Sequence, residues 1–346
     1  MKLNIKTVYL LTGLLVCSSI VFPQSDGINK VGTTSFQFLK VIPDARSTAM
    51  GGAYTAVASN SAATFSNPAA LAKVQKVDIA LSQVDWLLDI TLQSFSVGYP
   101  VGSLGTIGLQ AMIVDMGDIA ETRVDHLYPD ASTGTYNPGL TGNTVSPGAQ
   151  VFGFSFARYI TGKFAFGLTT KYVREDLVIA DASGFMVDVG FTYHTRLKSL
   201  ELAAAIKNFG PEVKFIEPTD YTSFGGDTLD LDGETYPLPQ ELSIGISGYL
   251  LGTENAFIAK SSNSSLLVAF DMVEARDYGQ QYHIGLEYAF KNMFFIRGGQ
   301  KINYDIEGLT LGFGIRVAGL RFDYSYASLG DAFSPVSRFS VGFGKN

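Results

Sequence analysis

Bulky side chains recur at every second position in runs of about nine to twelve residues, and this period constrains the chain more than any other feature. Phe152, Phe154 and Phe156 alternate with Gly153, Ser155 and Ala157, and Phe164, Phe166 and Leu168 alternate with Ala165, Gly167 and Thr169. The pattern returns at Phe185/Val187/Val189/Phe191/Tyr193, Tyr282 through Phe290, Leu309 through Val317, Leu320 through Tyr326, and Phe339/Val341/Phe343. A strand points successive side chains to opposite faces, so each run has one bulky face and one small or polar face. The second face carries the charge: Lys171, Asp188, His194, Glu201, Lys207, Asp271, Glu287, Arg316, Arg321, Asp323 and Arg338. Strands of globular proteins average about five to six residues, whereas runs of this length suit a tilted strand crossing a bilayer.

Composition narrows the choice further. Charged residues make up 16% of the chain and mean hydropathy is positive, against about 25% charge in ordinary soluble domains. Beyond the N-terminus no stretch reaches the roughly 18 consecutive apolar residues of a spanning helix. An apolar chain without such a helix is a large β-sandwich or a membrane barrel. Connection lengths favour the barrel. Tight turns at Val101 to Leu104, Ile160 to Lys163, Leu197 to Ser199, Lys291 to Asn292 and Ala318 to Gly319 alternate with longer excursions. Those excursions are Gly117 to Gly148, Glu175 to Ser183, Gly210 to Gln240, Val273 to Gly279 and Ser328 to Val336, and Gly252 to Ser262 is a long link on the short-turn side. The fold expected is all-β: a transmembrane antiparallel β-barrel of about fourteen strands with both termini on the short-turn side. One run departs from the rule, because Ala111-Met112-Ile113-Val114 carries bulk on both parities and predicts an irregular third strand. Arg158, the one basic residue of outward parity, sits beside a turn from which it can snorkel.

Lys2 and Lys6, an apolar run from Val8 to Phe22 and polar Gln24-Ser25-Asp26 have the layout of a secretory signal, assigned to residues 1–24. Cys17 is alternatively a lipid-anchored first residue, but Val16 before it has the wrong size. Once Cys17 leaves, no cysteine remains for a disulfide or thiolate site. Loss of Lys2 and Lys6 moves the formal charge from −7 to −9, which opposes nucleic-acid binding. Residues 25–75 then form an N-terminal hatch or plug, and residues 76–346 the barrel.

From Phe36 to Leu71 the chain is too rich in Gly, Ala and Ser for a core of its own and too apolar for a solvated linker. It is expected to lodge inside the barrel. Within it, Gly51-Gly52 permits backbone closed to other residues and close approach to a wall, and Asn67-Pro68 fixes a turn. Ala45-Arg46, Ala49-Met50-Gly51-Gly52-Ala53, Ala56-Val57-Ala58 and Asn67-Pro68-Ala69-Ala70-Leu71 resemble the hatch of the FadL-like superfamily. Preceded by Phe38-Leu39, the pattern is most similar to the PorV/PorQ branch associated with type IX secretion in Bacteroidota-related bacteria. That resemblance implies a non-enzymatic protein of the Gram-negative outer membrane, surrounded by its lipid. It further implies a PorV-like barrel that receives the C-terminal domains of secreted cargo at the translocon and passes them to a surface attachment complex, or a PorQ-like tether. Arg46, Gly51, Gly52, Asn67 and Pro68 are the hatch motif.

Tyr128, Tyr136, Phe215, Tyr221, Phe224 and Tyr236 are aromatics in polar, Pro-punctuated long loops and are candidate partner contacts. The alternative function, a FadL-like transporter of hydrophobic small molecules, requires an apolar lumen; the lumen charges oppose it and the irregular third strand supports it. Enzymatic, cofactor and metal chemistry find no constellation. His126, His194 and His283 form no HExxH or HxH pair, and GxSxG, P-loop and GxGxxG motifs are absent. Asp230-x-Asp232-Gly233-Glu234 lacks the spacing of a calcium loop.

Overall fold

The computed structural model describes residues 30–130, 132, 134–136, 138–178, 180–216, 221–222, 228–229, 234–252, 254–330 and 333–344. The signal assigned to residues 1–24 and the loop residue Phe224 lie outside them. The alternating runs form fourteen long strands: β1 (Asp78–Asp85), β2 (Thr91–Pro100), β3 (Thr106–Asp115), β4 (Gly148–Thr161), β5 (Phe164–Asp176), β6 (Asp181–His194), β7 (Glu201–Phe209), β8 (Glu241–Gly252), β9 (Ser264–Ala275), β10 (Gln281–Phe290), β11 (Phe294–Ile302), β12 (Leu309–Val317), β13 (Leu320–Ala327) and β14 (Val336–Phe343). Each pairs antiparallel with its neighbour in sequence, and β1 pairs with β14 from Ile79↔Phe343 to Asp85↔Ser337. The sheet therefore closes on itself, removing both edges. A two-residue strand, Ala259–Lys260, joins the end of β8 in parallel.

Bulky residues of the runs face outward. Phe152, Phe154, Leu311, Phe313, Phe322 and Phe339 are exposed, while their neighbours Ser155, Ala157, Thr310 and Arg338 are buried inside. No helix among the described residues is long and apolar enough to cross a membrane. A charge at mid-bilayer on the outer face costs about 2–4 kcal/mol, and the lumen takes the charges instead: Lys171, Asp188, Asp271, Glu287, Arg321 and Arg338 are all buried. His194, at the end of β6, is exposed.

Two connections are shorter than expected. β5 and β6 stay paired up to Asp176↔Asp181, which leaves 177–180 in place of an excursion from Glu175 to Ser183. Likewise β9 runs on to Ala275, so the next link is 276–280. The expected irregularity of β3 is also absent: it pairs without a shift to β2 and β4, and its burial alternates strictly. Leu109 and Ile113 point outward, while Met112 and Val114 point inward with Gln110. Both faces of this strand are apolar because the lumen beside it is apolar.

Residues 34–74 are for the most part buried against the inward face of the strands, while 30–33 and 75–77 are exposed. Residues 34–40 are held at the long-loop end, and the chain's N-terminus, expected on the short-turn side, lies outside the described residues. Ser35 N–H donates to Pro237 O at 2.9 Å, and Thr34, Gln37 and Lys40 all donate to Asp277 in the link after β9. Phe36 and Phe38 supply the apolar reason, being buried in a cluster with Leu238 and Met186 under the loops. From there the segment descends through a short helix, α1 (Ala45–Ala49), capped by Asp44 accepting from Ser47 N–H at 2.9 Å. It continues through two 3-10 turns, Ser61–Phe65 and Pro68–Lys73, to the short-turn end where β1 starts.

Candidate functional site: a two-faced cavity at the loop end

The lower part of the lumen is filled by direct backbone approach. A Cβ at Gly299 would collide with Met50 and Gly51, one at Gly167 with Pro68 and Ala69, and one at Gly312 with Ala49. Glycines of the wall thus let the segment approach directly at these three points. Gly51 and Gly52 adopt φ of 67° and 83°, conformations that side chains disfavour, with Gly52 against the His283 ring. Asn67 joins three strands of chain. Its Oδ1 accepts from Ala69 N–H at 3.1 Å, and its amide donates to Thr55 O at 3.0 Å and Phe191 O at 3.2 Å. Pro68 opens the following 3-10 turn, where its missing N–H costs nothing.

Charged side chains bind the same segment to the wall. Arg46 forks onto Glu287 with two bonds of 2.8 Å, and Arg297 holds Glu287 at 2.6 Å and Asp323 at 2.6 Å. Asp271 accepts the Tyr54 and Thr55 amides at 2.9 and 2.8 Å. Asp78 accepts from Ser61 N–H at 2.9 Å while Arg321 forks onto it. Lumen charge here is mutual compensation around a docked peptide.

Above this filled part, toward the long loops, lies a cavity of about 530 Å³, within the range of small-molecule sites. Its two sides differ. On one, Trp86, Ile90 and Leu92 around the start of β2, Met112, Val114 and Met116 from β3, and Phe38, Val41 and Phe65 from the segment make an apolar wall. On the other, Lys171, Lys207, Glu241, His283, Lys301, Tyr304 and Glu307 make a polar one. Every lysine of the lining is already paired: Lys40 with Asp277, Lys171 with Asp188, Lys207 with Glu241 and Lys301 with Glu307. His283 Nε2 meets Tyr304 Oη at 2.7 Å. The lysines are therefore closed into pairs, while Asp44, Glu175 and Asp305 of the same lining are in no ion pair among the described residues, so what the lining has in excess is carboxylate.

Of the sequence-predicted hatch residues, Gly52 alone borders the cavity; Arg46, Gly51, Asn67 and Pro68 lie in the filled part. Among the loop aromatics, Tyr128 and Tyr136 are 62% and 69% exposed. Phe215 is turned inward, its ring 6.4 Å from Phe36 and 5.9 Å from Tyr236, so these two rings brace the segment. The Tyr221 backbone pairs with Leu229 in a two-residue ladder. Trp86, Gln110, Met112 and Val114 are not among the sequence-predicted site residues; the doubled apolar parity at Ala111 to Val114, which supports the channel alternative as an irregular strand, is the signal for Met112 and Val114 alone. Among the described residues no group of three or more His, Cys, Asp or Glu is placed to hold a metal ion.

Comparison with solved structures finds three barrels of matching extent. These are the toluene transporter TbuX of Ralstonia pickettii (TM-score 0.51, 13% identity, covering 87% of this chain and 97% of that one), the toluene transporter TodX of Pseudomonas putida (0.52, 13%, 86% and 95%), and the monoaromatic hydrocarbon channel CymD (0.50, 12%, 88% and 98%). The likeness is one of fold. No protein-family model matches the chain, and no curated sequence does.

Proposed function

We propose that this barrel is an outer-membrane conduit for small hydrophobic molecules, admitting them at the loop end into the two-faced cavity. The apolar wall of Trp86, Leu92, Met112 and Met116 carries the reading, because desolvating such a wall is favourable only when apolar matter covers it. The inner segment acts as the plug, and onward passage requires it to shift. The neighbours named as toluene transporters and a hydrocarbon channel support the same reading. The lumen charges oppose it less than their number suggests, since most are spent on one another and on the segment, with Arg316 the exception among them.

Trp86 is the one tryptophan of the chain and lines the cavity, so it reports occupancy. Bromooctane added to the reconstituted barrel should quench its fluorescence saturably. Met112→Glu, which buries a charge in the apolar wall, should weaken that binding by about tenfold or more. Quenching that is linear in concentration and identical in the variant would show partition into lipid and sink the proposal.

Handling of secreted cargo is the second reading. Its support is the exposure of Tyr128 and Tyr136 in the longest described loop, together with the hatch sequence. Retrieval of a translocon or attachment-complex subunit from solubilised outer membranes, lost on Tyr128→Ala/Tyr136→Ala, would favour it over the conduit.

A further inference from the structure

Gln110 lies at the foot of the apolar wall, on the same inward face of β3 as Met112 and Val114. It lines the cavity yet is only 4% exposed, and its Oε1 has no hydrogen-bond partner among the described residues. A buried amide oxygen left in this state costs about 1–3 kcal/mol. The position is built to hold the amide there. Gly153 on β4, paired with Gln110, has no side chain, and the Gln110 amide lies across it, so that a Cβ at Gly153 would come within 3.0 Å of Cδ and 3.1 Å of Nε2. Directly below, Leu71 of the inner segment covers Gly108 and closes the floor.

The structure assigns Gln110, we infer, as the polar anchor of a ligand whose apolar body lies along β3 and whose head is a single uncharged hydroxyl. This rests on the conduit reading and deepens it. An extended strand advances about 3.4 Å per residue, so an apolar body along Met112, Val114 and Met116 spans roughly 14–20 Å from Gln110. A hydroxyl both donates and accepts, and so meets either orientation of the amide. A carboxylate head finds no partner: Lys171, on the strand beyond Gly153, holds Asp188 at 2.8 Å, and Lys207 holds Glu241 at 2.8 Å. Binding there would displace an anion already in place.

The test uses the reconstituted full-length mature barrel, Trp86 fluorescence, and three probes of one chain length: bromooctane, the alcohol and the carboxylate, each brominated at the far end. Gln110→Leu should lower the affinity for the alcohol relative to that for bromooctane, both read on the same variant, by about three- to tenfold, and saturable bromooctane binding doubles as proof of folding. Gln110→Met serves in its place should the leucine variant misfold. An equal effect on alcohol and alkane, no effect on either, or tighter binding of the carboxylate than of the alcohol would overturn the anchor while leaving the conduit standing. Failure of the wild type to bind any of the three overturns both.

Discussion

Gly299, opposite Gly285, and Glu287, opposite Arg297, lie on neighbouring strands and show two ways in which single residues fix the inner segment. At Gly299 the segment's own backbone occupies the place of a side chain. Gly299→Ala is therefore an overpacking substitution, expected to cost about 1–3 kcal/mol and to lower the thermal unfolding midpoint in detergent. Glu287 sits between two guanidinium groups. Glu287→Leu strands Arg46 and leaves Arg297 with Asp323 alone, and should destabilise by about 3–5 kcal/mol, whereas Arg46→Met leaves Glu287 its Arg297 partner and should cost less. Comparing the two by urea unfolding checks the ordering.

At the scale of elements, the strap formed by residues 30–41 depends on one carboxylate. Burial pushes the Asp277 carboxyl up, but donors on Lys40, Gln37 and Thr34 outweigh it and hold the group below its ordinary value of 3.8. A group held below its unfolded value stabilises fully above 3.8 and loses that contribution as the pH falls through its folded value. The unfolding midpoint of the wild type should therefore exceed that of Asp277→Ala at neutral pH, and the gap should close as the medium is acidified below 3.8. A gap that persists in acid would exclude the ionised carboxylate as the holding group. The strands were legible beforehand because bulk at every second position, as in Phe152/Phe154/Phe156, identifies a lipid face regardless of what lies within. The cavity was not. Met112 and Val114 are apolar on the inward parity, and alternation has no way to distinguish an apolar lumen wall from a failed strand. Nor could the strap be read, since the pairing of Lys40 with Asp277 spans 237 positions and no local pattern encodes it.

Taken whole, the molecule is an apolar cylinder whose lower lumen is closed and whose upper lumen is hollow. Exposed Phe313, Ile296, Phe185 and Leu109 belong to a belt that needs acyl chains or detergent. The mature chain should precipitate from plain buffer as detergent is withdrawn, and a folded monomer in its absence would refute the membrane reading. In a planar bilayer the intact barrel should conduct little, because the segment meets the wall at Gly167, Gly299 and Gly312. A chain lacking 36–74 should show stable ionic steps. The same contacts restrict the order of assembly. Loops tied through Ser35 and Lys40, the bond from Asn67 to Phe191 on β6, and a wall with no room for a Cβ at Gly299 all oppose threading of the segment into a finished cylinder. The segment is therefore expected to be in place before β1 meets β14, so that the seam closes around its own contents.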